Sequence, residues 1–212
     1  MKKIANEAIY DELKRRIINM ELKPGDQIVE KDLIDEFNVS RTPVREAILK
    51  LSQNGLLDLK PRIGTFVTQI NLETVKCAYE VKKNLEALAA ELAAKRAKKD
   101  QINQLYEIID LFNNLNIVDD YSKCIEADQK FHKIVREASG NIILIEMLEE
   151  LNIKTARFLQ YIKYVISDVN WFKHSLTEMA DSINDHDSDR ARKTTEEHTS
   201  EYLEYLSKKF FS

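Results

Sequence analysis

Residues 40–49, Ser-Arg-Thr-Pro-Val-Arg-Glu-Ala-Ile-Leu, decide the fold of the first part of the chain, because they join a helix start to an amphipathic helix. Ser40 is a good N-cap residue, and Pro43 lies in the first turn, where a backbone N–H has no partner within the helix. Apolar side chains then recur at helical spacing, which predicts that one side of this helix packs against a core. This apolar stripe consists of Val44, Ile48 and Leu51.

Three polar residues of the same turn lie away from the apolar stripe. Arg41, Thr42 and Arg45 are expected to be exposed and to reach outward. A helix that packs one side and offers two arginines and a hydroxyl at its N-terminal end is suited to reading the major groove of DNA. The simpler alternative is a solvated amphipathic helix, and the flanking sequence favours the first interpretation.

The preceding residues predict two more helices. Apolar residues at helical spacing indicate a helix over residues 4–19, which the turn at Pro24-Gly25 follows. A short helix is predicted over residues 30–37, and residues 38–40 connect it to the helix that begins after Ser40. Two short helices joined by so tight a turn are typical of a helix-turn-helix.

The following residues change from helical to alternating patterns. Residues 56–60 and 65–68 are short alternating runs on either side of Pro61-Arg62-Ile63-Gly64, which predicts a small β-hairpin. A helix, a helix-turn-helix and a hairpin, in that order, make a winged helix. The local charge agrees with this interpretation, because residues 41–62 contain five basic and two acidic side chains.

Composition limits the class of protein. The 212 residues are 43% hydrophobic and 32% charged, with a formal net charge of −4, and they include only four glycines and three prolines. These values favour a mostly helical globular protein over a uniformly basic nucleic-acid binder. No apolar stretch approaches the length of about 18 residues that a membrane span needs, so a cytoplasmic location is expected. Cys77 and Cys124 are expected to be buried thiols rather than a disulfide.

Residues 22–67 contain the motifs Leu-x-Pro-Gly, Val-Ser-Arg-Thr-Pro-Val-Arg-Glu-Ala, Asn-Gly-Leu-Leu and a glycine in the wing. Through these motifs the stretch resembles the DNA-binding domain of the GntR family of bacterial transcription regulators. The resemblance implies that Arg41 and Arg45 contact bases or phosphates and that Thr42 contacts the DNA backbone. Ile63 departs from the polar or basic wing residue of many members. The full set of residues expected at the DNA is Lys31, Ser40, Arg41, Thr42, Arg45 and Gly64.

The remaining residues show helical periodicity and no strand pattern. Six helices are predicted, over about 71–97, 100–116, 119–138, 142–166, 170–185 and 188–210. The predicted fold class is therefore mainly α, with an N-terminal winged helix-turn-helix and its small β-hairpin wing, followed by an all-α antiparallel helical bundle. The predicted domains are residues 1–70 for DNA binding and residues 71–212 for effector binding and dimerisation.

A metal site is predicted in the helical domain. Asp128 and His132 are four residues apart and therefore share a helix face, although a surface pair of this kind is common. The surrounding residues 128–141 resemble the ligand-binding domain of the FadR branch of GntR regulators, in which such a pair and two later histidines often hold a metal. By that resemblance His174 and His198 complete the site. The family pattern places Met179 where a histidine belongs, so an incomplete site remains the alternative.

The same resemblance suggests an effector. Arg157 lies where family members often carry an arginine that grips a carboxylate, and a surface arginine is the alternative. The resulting hypothesis is a homodimeric repressor, not an enzyme, that binds a double-stranded DNA operator and senses a carboxylate beside a divalent ion of zinc, nickel or manganese. The alternatives are a metal-free regulator that senses an acyl-type ligand and a metal-dependent hydrolase.

Overall fold

A computed structural model describes residues 2–116, 119–161 and 169–206 of the chain. It divides into two compact units. The first consists of Met1–Asn71 together with Ala156–Tyr161, and the second consists of Leu72–Thr155 and Ile162–Ser212. The inclusion of Ala156–Tyr161 in the first unit is not foreseen by the sequence.

The first unit contains the predicted helix-turn-helix. Its helices are α1 (Lys2–Ile18), α2 (Glu30–Phe37) and α3 (Arg41–Gln53). The helix α2 ends at Asn38, whose φ of 49° and ψ of 52° are left-handed, and this conformation turns the chain sharply towards α3. The helix α3 begins next to Ser40, as predicted, although the Ser40 hydroxyl makes no capping hydrogen bond.

The core of the first unit lies between α1 and α3. Apolar residues of α1 recur every three or four positions and are almost fully buried, and the stripe of α3 packs against them. This packing fixes one side of α3, so the other side of its first turn faces outward. The buried residues are Ile9, Leu13 and Ile17 from α1 and Val44, Ile48 and Leu51 from α3.

The wing is an antiparallel sheet with one more strand than the sequence predicts. The predicted hairpin is present as β2 (Leu57–Lys60) and β3 (Gly64–Val67), and the additional strand β1 (Gln27–Ile28) pairs with the free edge of β3. Gly64 begins β3 with a φ of 147°, which an L-amino acid with a side chain rarely adopts. The glycine is therefore required by the backbone of the wing itself.

Six α-helices among the residues described lie wholly or mainly in the second unit, as predicted, and the last residues of α7 belong to the first. The predicted helices over 142–166 and 188–210 extend at their C-terminal ends into residues that lie outside the described part. The helices are α4 (Leu72–Arg96), α5 (Lys99–Leu111), α6 (Tyr121–Ala138), α7 (Ile142–Tyr161), α8 (Val169–Asn184) and α9 (Ser188–Leu206), with a short 3-10 turn at Phe112–Asn114.

The long helix α4 is central to the second unit, where it packs against α6, α8 and α9. Its second half carries small side chains on the packed face, and these let neighbouring helices approach closely. The fully buried residues of that half are Ala87, Ala89, Ala90, Ala93 and Ala94. A charged pair interrupts the apolar face, because Glu86 and the Arg136 side chain of α6 are both buried and form an ion pair of 2.8 Å.

Both cysteines are free, but only Cys124 is buried, and Cys77 is exposed on α4. The prediction of a buried Cys77 is wrong because the side of α4 that carries it faces solvent. Within the part of the chain that the structure describes, no helix has the length and apolar character needed to cross a lipid bilayer.

Candidate functional site

The first candidate site is the exposed turn at the start of α3. Arg41 and Arg45 have side chains that are 68% and 61% exposed, and Thr42 is exposed beside them. We call these three residues the recognition face. It can donate several N–H groups and one hydroxyl to a partner, and the bidentate guanidinium donors match the acceptors of guanine.

A carboxylate of the preceding helix contacts both arginines. Glu30, the first residue of α2, accepts hydrogen bonds of 3.1 and 3.0 Å from Arg45 Nε through its two oxygens. Its Oε2 atom also lies 3.8 Å from Arg41 Nε. Sequence reasoning missed Glu30, because its distance of 15 residues from Arg45 hides the contact.

The other residues expected at the DNA lie on the same unit. Lys31 is exposed in the first turn of α2, and Ser40 is exposed immediately before α3. Gly64 lies at the start of β3, next to Ile63, which is 68% exposed at the tip of the wing. The wing tip therefore presents an apolar side chain beside the glycine.

The second candidate site is in the second unit, where three of the four predicted metal ligands lie close together. One potential ligand atom each from Asp128, His132 and His198 lies within 4.8 Å of the others. We call these residues the Asp-His group. His132 Nε2 is 3.6 Å from Asp128 Oδ1, and the rings of His132 and His198 are 5.4 Å apart between centroids.

The Asp-His group is buried and charged. Burial would raise the pKa of the Asp128 carboxyl, but the neighbouring His132 and the positive charge of Lys82 outweigh it, so this pKa lies below its usual value. Burial and the charge of His132 lower the pKa of His198 to about 4. A neutral His198 and an ionised Asp128 are the protonation states in which these side chains bind metals.

His174 does not belong to the Asp-His group. His174 is exposed on α8, whereas the Oγ atom of the next residue, Ser175, lies 2.9 Å from Nδ1 of His198. Met179, one turn further along α8, is fully buried. A step of one residue rotates a side chain by about 100° around a helix, and this rotation separates His174 from the side that His198 contacts. The structure therefore supports the alternative of a site without His174.

A largely buried lysine, Lys82, whose side chain is 12% exposed, lies near the Asp-His group and is not found by sequence reasoning. Lys82 Nζ donates hydrogen bonds to Asn152 Oδ1 at 3.1 Å and to Thr155 Oγ1 at 3.4 Å, and it is 3.9 Å from Glu86. Burial lowers the pKa of Lys82, which the carboxylate of Glu86 partly opposes. A signal was present in the sequence: Lys82 and Glu86 continue the buried stripe of Val75, Tyr79, Ala89 and Ala93 on α4.

Arg157 has structural partners in the first unit. Its guanidinium donates hydrogen bonds to Thr68 Oγ1 at 3.0 Å and to the carbonyl oxygen of Gln69 at 3.1 Å. Its residue is 6% exposed, and burial lowers its pKa. These partners account for the Arg157 guanidinium within the first unit, and its role in effector binding stays a prediction.

Comparison with protein families gives two matches that together cover most of the chain. Residues 5–67 match the family described as bacterial regulatory proteins, gntR family. Residues 77–201 match the FCD domain. The first match contains the recognition face, and the second contains the Asp-His group and Lys82.

Curated relatives and solved structures agree with these matches. The chain is 34% identical over 156 residues to the uncharacterised HTH-type transcriptional regulator YdhC of Bacillus subtilis, covering 72% of this chain and 69% of that protein. It is 26% identical to the HTH-type transcriptional repressor RspR of Escherichia coli, covering 94% and 87%. The structure of E. coli McbR/YncC superimposes with a TM-score of 0.82 at 21% identity, covers 97% of this chain and 98% of that one, and supports the fold.

Proposed function

Because this chain belongs to the GntR family of bacterial regulatory proteins and is a DNA-binding transcription regulator with an FCD domain, we propose that it is a repressor controlled by a small acidic effector. The relative RspR is named a transcriptional repressor, and this supports repression rather than activation. The relatives are transcription regulators and not enzymes, so the metal-dependent hydrolase is not retained. The observation that carries the proposal is the pair of exposed arginines at the start of α3.

The proposed DNA contacts begin at the recognition face. Arg41 and Arg45 donate to guanine edges or phosphates, and Thr42 donates its hydroxyl to the backbone. Around them, Lys31 and Ser40 contact phosphates, and the glycine of the wing lets the chain approach the minor groove. Base contacts carry sequence preference, whereas phosphate contacts fix the position of the protein on the duplex.

The proposed effector site lies beside the Asp-His group. Lys82 supplies a buried positive charge, and Glu86 Oε2 and Gln129 Nε2 are buried polar atoms without a hydrogen-bond partner in the described structure. Buried polar atoms are normally paired, so such atoms mark a place where a ligand or water belongs. We assign the carboxylate of the effector to Lys82 and not to Arg157, whose donors already have partners in the first unit.

The Asp-His group fits a divalent ion. Asp128 Oδ1 and His132 Nδ1 are buried and make no hydrogen bond within the described residues, and an ion would satisfy the carboxylate. We propose that Asp128, His132 and His198 hold zinc, nickel or manganese, with Ser175 fixing the ring of His198 so that its Nε2 serves as the ligand. A bound ion would supply open coordination positions for an effector carboxylate.

A metal-free regulator is the second candidate, and one observation favours it. The Asp-His group provides three protein ligands, while the predicted fourth ligand, His174, is exposed. A structural zinc site normally has four protein ligands, so a resident structural ion is not expected here. In a metal-free regulator, Lys82 would bind the acidic group of an acyl-type effector without the help of an ion.

The proposed functional form is a homodimer. One winged helix contacts only a few base pairs, and two half-sites increase affinity and selectivity together. The first turns of α7 expose a cluster of large apolar side chains, which is typical of a protein interface. The cluster consists of Ile142, Ile143 and Met147, which are 67%, 61% and 48% exposed.

Selection from a library of randomised DNA duplexes tests the proposal without knowledge of the operator. We expect the purified chain to enrich one sequence with two related half-sites, because a symmetric dimer reads the same bases twice. Enrichment of a single half-site would contradict the dimer, and no enrichment would contradict the assigned recognition face. Addition of the effector should release the selected duplex, as expected of a repressor.

A further inference from the structure

Glu30 has a position that the proposed DNA contacts do not use. It begins α2, it is about one-third exposed, and it holds Arg45 through hydrogen bonds from Nε to both of its oxygens. The same carboxylate lies 3.8 Å from Arg41 Nε. One negative charge therefore serves both arginines of the recognition face.

The atoms in these contacts leave the outer end of Arg45 available for DNA. The hydrogen bonds to Glu30 come from Nε, while the terminal Nη groups of Arg45 make no hydrogen bond in the part of the chain that the structure describes. Two parallel N–H groups of a guanidinium are what the O6 and N7 atoms of guanine accept. Arg45 can therefore read a guanine end-on while its Nε stays bonded to Glu30.

A phosphate is treated differently from a guanine by this arrangement. Phosphate carries a full negative charge, so the nearby carboxylate of Glu30 repels it and partly neutralises the arginines that would attract it. A guanine edge is uncharged and is repelled much less. Glu30 thus weakens the sequence-independent attraction of the arginines to phosphates more than it weakens their contact with guanine.

We propose that Glu30 is a positioning residue that directs the Arg45 guanidinium towards a base edge and lowers affinity for DNA of unrelated sequence. This inference rests on the proposed role of the recognition face. The pair is largely exposed, so it contributes little to folding, and its effect falls on selectivity. The substitution Glu30→Gln keeps the size of the side chain and removes its charge, so it separates selectivity from fold.

The experiment compares two duplexes and three proteins. One duplex is selected from a randomised library by the wild-type chain, and the other has the same bases in scrambled order. Wild type, Glu30→Gln and Asp35→Asn are titrated against both by fluorescence anisotropy over a range of salt concentrations. Asp35 is exposed on the same helix, so Asp35→Asn removes an equal charge as the matched control.

We expect Glu30→Gln to bind the scrambled duplex more tightly and to lose selectivity by on the order of tenfold, the value of one bidentate base contact. Its plot of log affinity against log salt should steepen by about one for each chain, because one more positive charge is free to meet phosphate. Asp35→Asn should keep the wild-type ratio between the two duplexes.

Three outcomes overturn the inference. The first is unchanged selectivity in Glu30→Gln, and the second is an equal change in Asp35→Asn, which would indicate a general effect of charge. The third is loss of binding to both duplexes by a folded Glu30→Gln, which would make Glu30 a DNA contact itself. Arg45→Ala separates these results from failure of the proposed function: if it binds the selected duplex like wild type, the recognition face is misassigned.

Discussion

His132 Nε2 lies 3.6 Å from Asp128 Oδ1, one turn apart on α6, with both side chains at most 13% exposed. This distance is too long for a hydrogen bond, and Oδ1 makes none within the described residues. A buried carboxylate oxygen without a donor is costly. The pair is therefore arranged for a third group, and an ion or a ligand donor is the chemistry that fits.

The Asp-His group predicts metal binding that depends on particular histidines. Purified wild type, after incubation with zinc, nickel or manganese, should retain about one ion per chain by elemental analysis. His132→Ala and His198→Ala should each lose most of it, because each removes one of three protein ligands. His174→Ala is the matched control and should keep the ion, since His174 is exposed outside the group. Loss of metal in His174→Ala would contradict the three-residue site.

Arg45 should be required for selective DNA binding. Arg45→Ala should weaken binding to a selected duplex by about 1–3 kcal/mol for each half-site, because a bidentate contact to guanine has this value. Lys99→Ala removes an exposed positive charge from the second unit and should bind like wild type. Anisotropy titrations measure both. Equal weakening in the two variants would show that only net charge matters.

Lys82 should be necessary for stability and for effector response. Lys82→Met removes a positive neighbour of the buried Glu86 carboxylate and the hydrogen bond to Asn152 Oδ1, so it should lower the free energy of unfolding by about 1–3 kcal/mol. We also expect small carboxylates to raise the Tm of the wild type by binding beside Lys82, and this rise should disappear in Lys82→Met. Lys83→Met, at the neighbouring half-buried lysine, should retain that rise. A Lys82→Met protein that still responds to carboxylates would remove Lys82 from the effector site.

The ion pair between Glu86 and Arg136 should be essential for stability. Glu86→Gln leaves a buried arginine without its counter-charge and should cost about 3 kcal/mol in urea unfolding. Glu150→Gln breaks an exposed pair with Lys154 and should cost less than about 0.5 kcal/mol.

The same pair predicts a pH dependence. Burial would raise the pKa of Glu86, but the charges of Arg136, His132 and Lys82 outweigh it, so the pKa lies below the 4.5 of an unperturbed glutamate. Stability from Glu86 is therefore present above pH 4.5 and is lost as the pH falls through the folded-state pKa. As the pH is lowered through this range, the free energy of unfolding should fall less in Glu86→Gln than in the wild type.

The apolar cluster of α7 should hold the dimer together. Ile143→Glu places a charge in that cluster and should shift sedimentation towards the monomer. Leu111→Glu places the same charge at an apolar side chain outside the cluster, which is 51% exposed on α5, and should leave the oligomeric state unchanged. A dimer that persists in Ile143→Glu would place the interface elsewhere.

The fold could be predicted from the sequence because its signals are local. Helical periodicity, Pro24-Gly25 and the motif that starts at Ser40 located the helices of both units and the wing, and the family comparison confirms the recognition of a GntR regulator. The strand β1 was missed because two residues carry no periodic signal. It forms only because β3 offers an unpaired edge, which is a property of the folded chain.

The candidate sites were only partly predictable. The spacing of Asp128 and His132 on one helix is a local signal, and the structure brings His198 to them. Lys82, Glu30 and Arg157 depend on partners far away in sequence, and charge alone does not distinguish a buried lysine from a solvated one. The resemblance points to His174, but on α8 this residue is exposed while Met179 faces the core, so the resemblance alone does not locate a third histidine ligand.

The hydrogen bonds of Arg157 to Thr68 and Gln69 affect how this regulator can be recombined with others. The first unit is built from two separate pieces of chain, and Ala156–Tyr161 is one of them. A chimera joined at residue 71 would keep the DNA-reading half of one protein but take this piece from the other. Exchange of effector specificity by domain grafting therefore succeeds only if the donor supplies a residue equivalent to Arg157, or if Ala156–Tyr161 is carried over with the first unit.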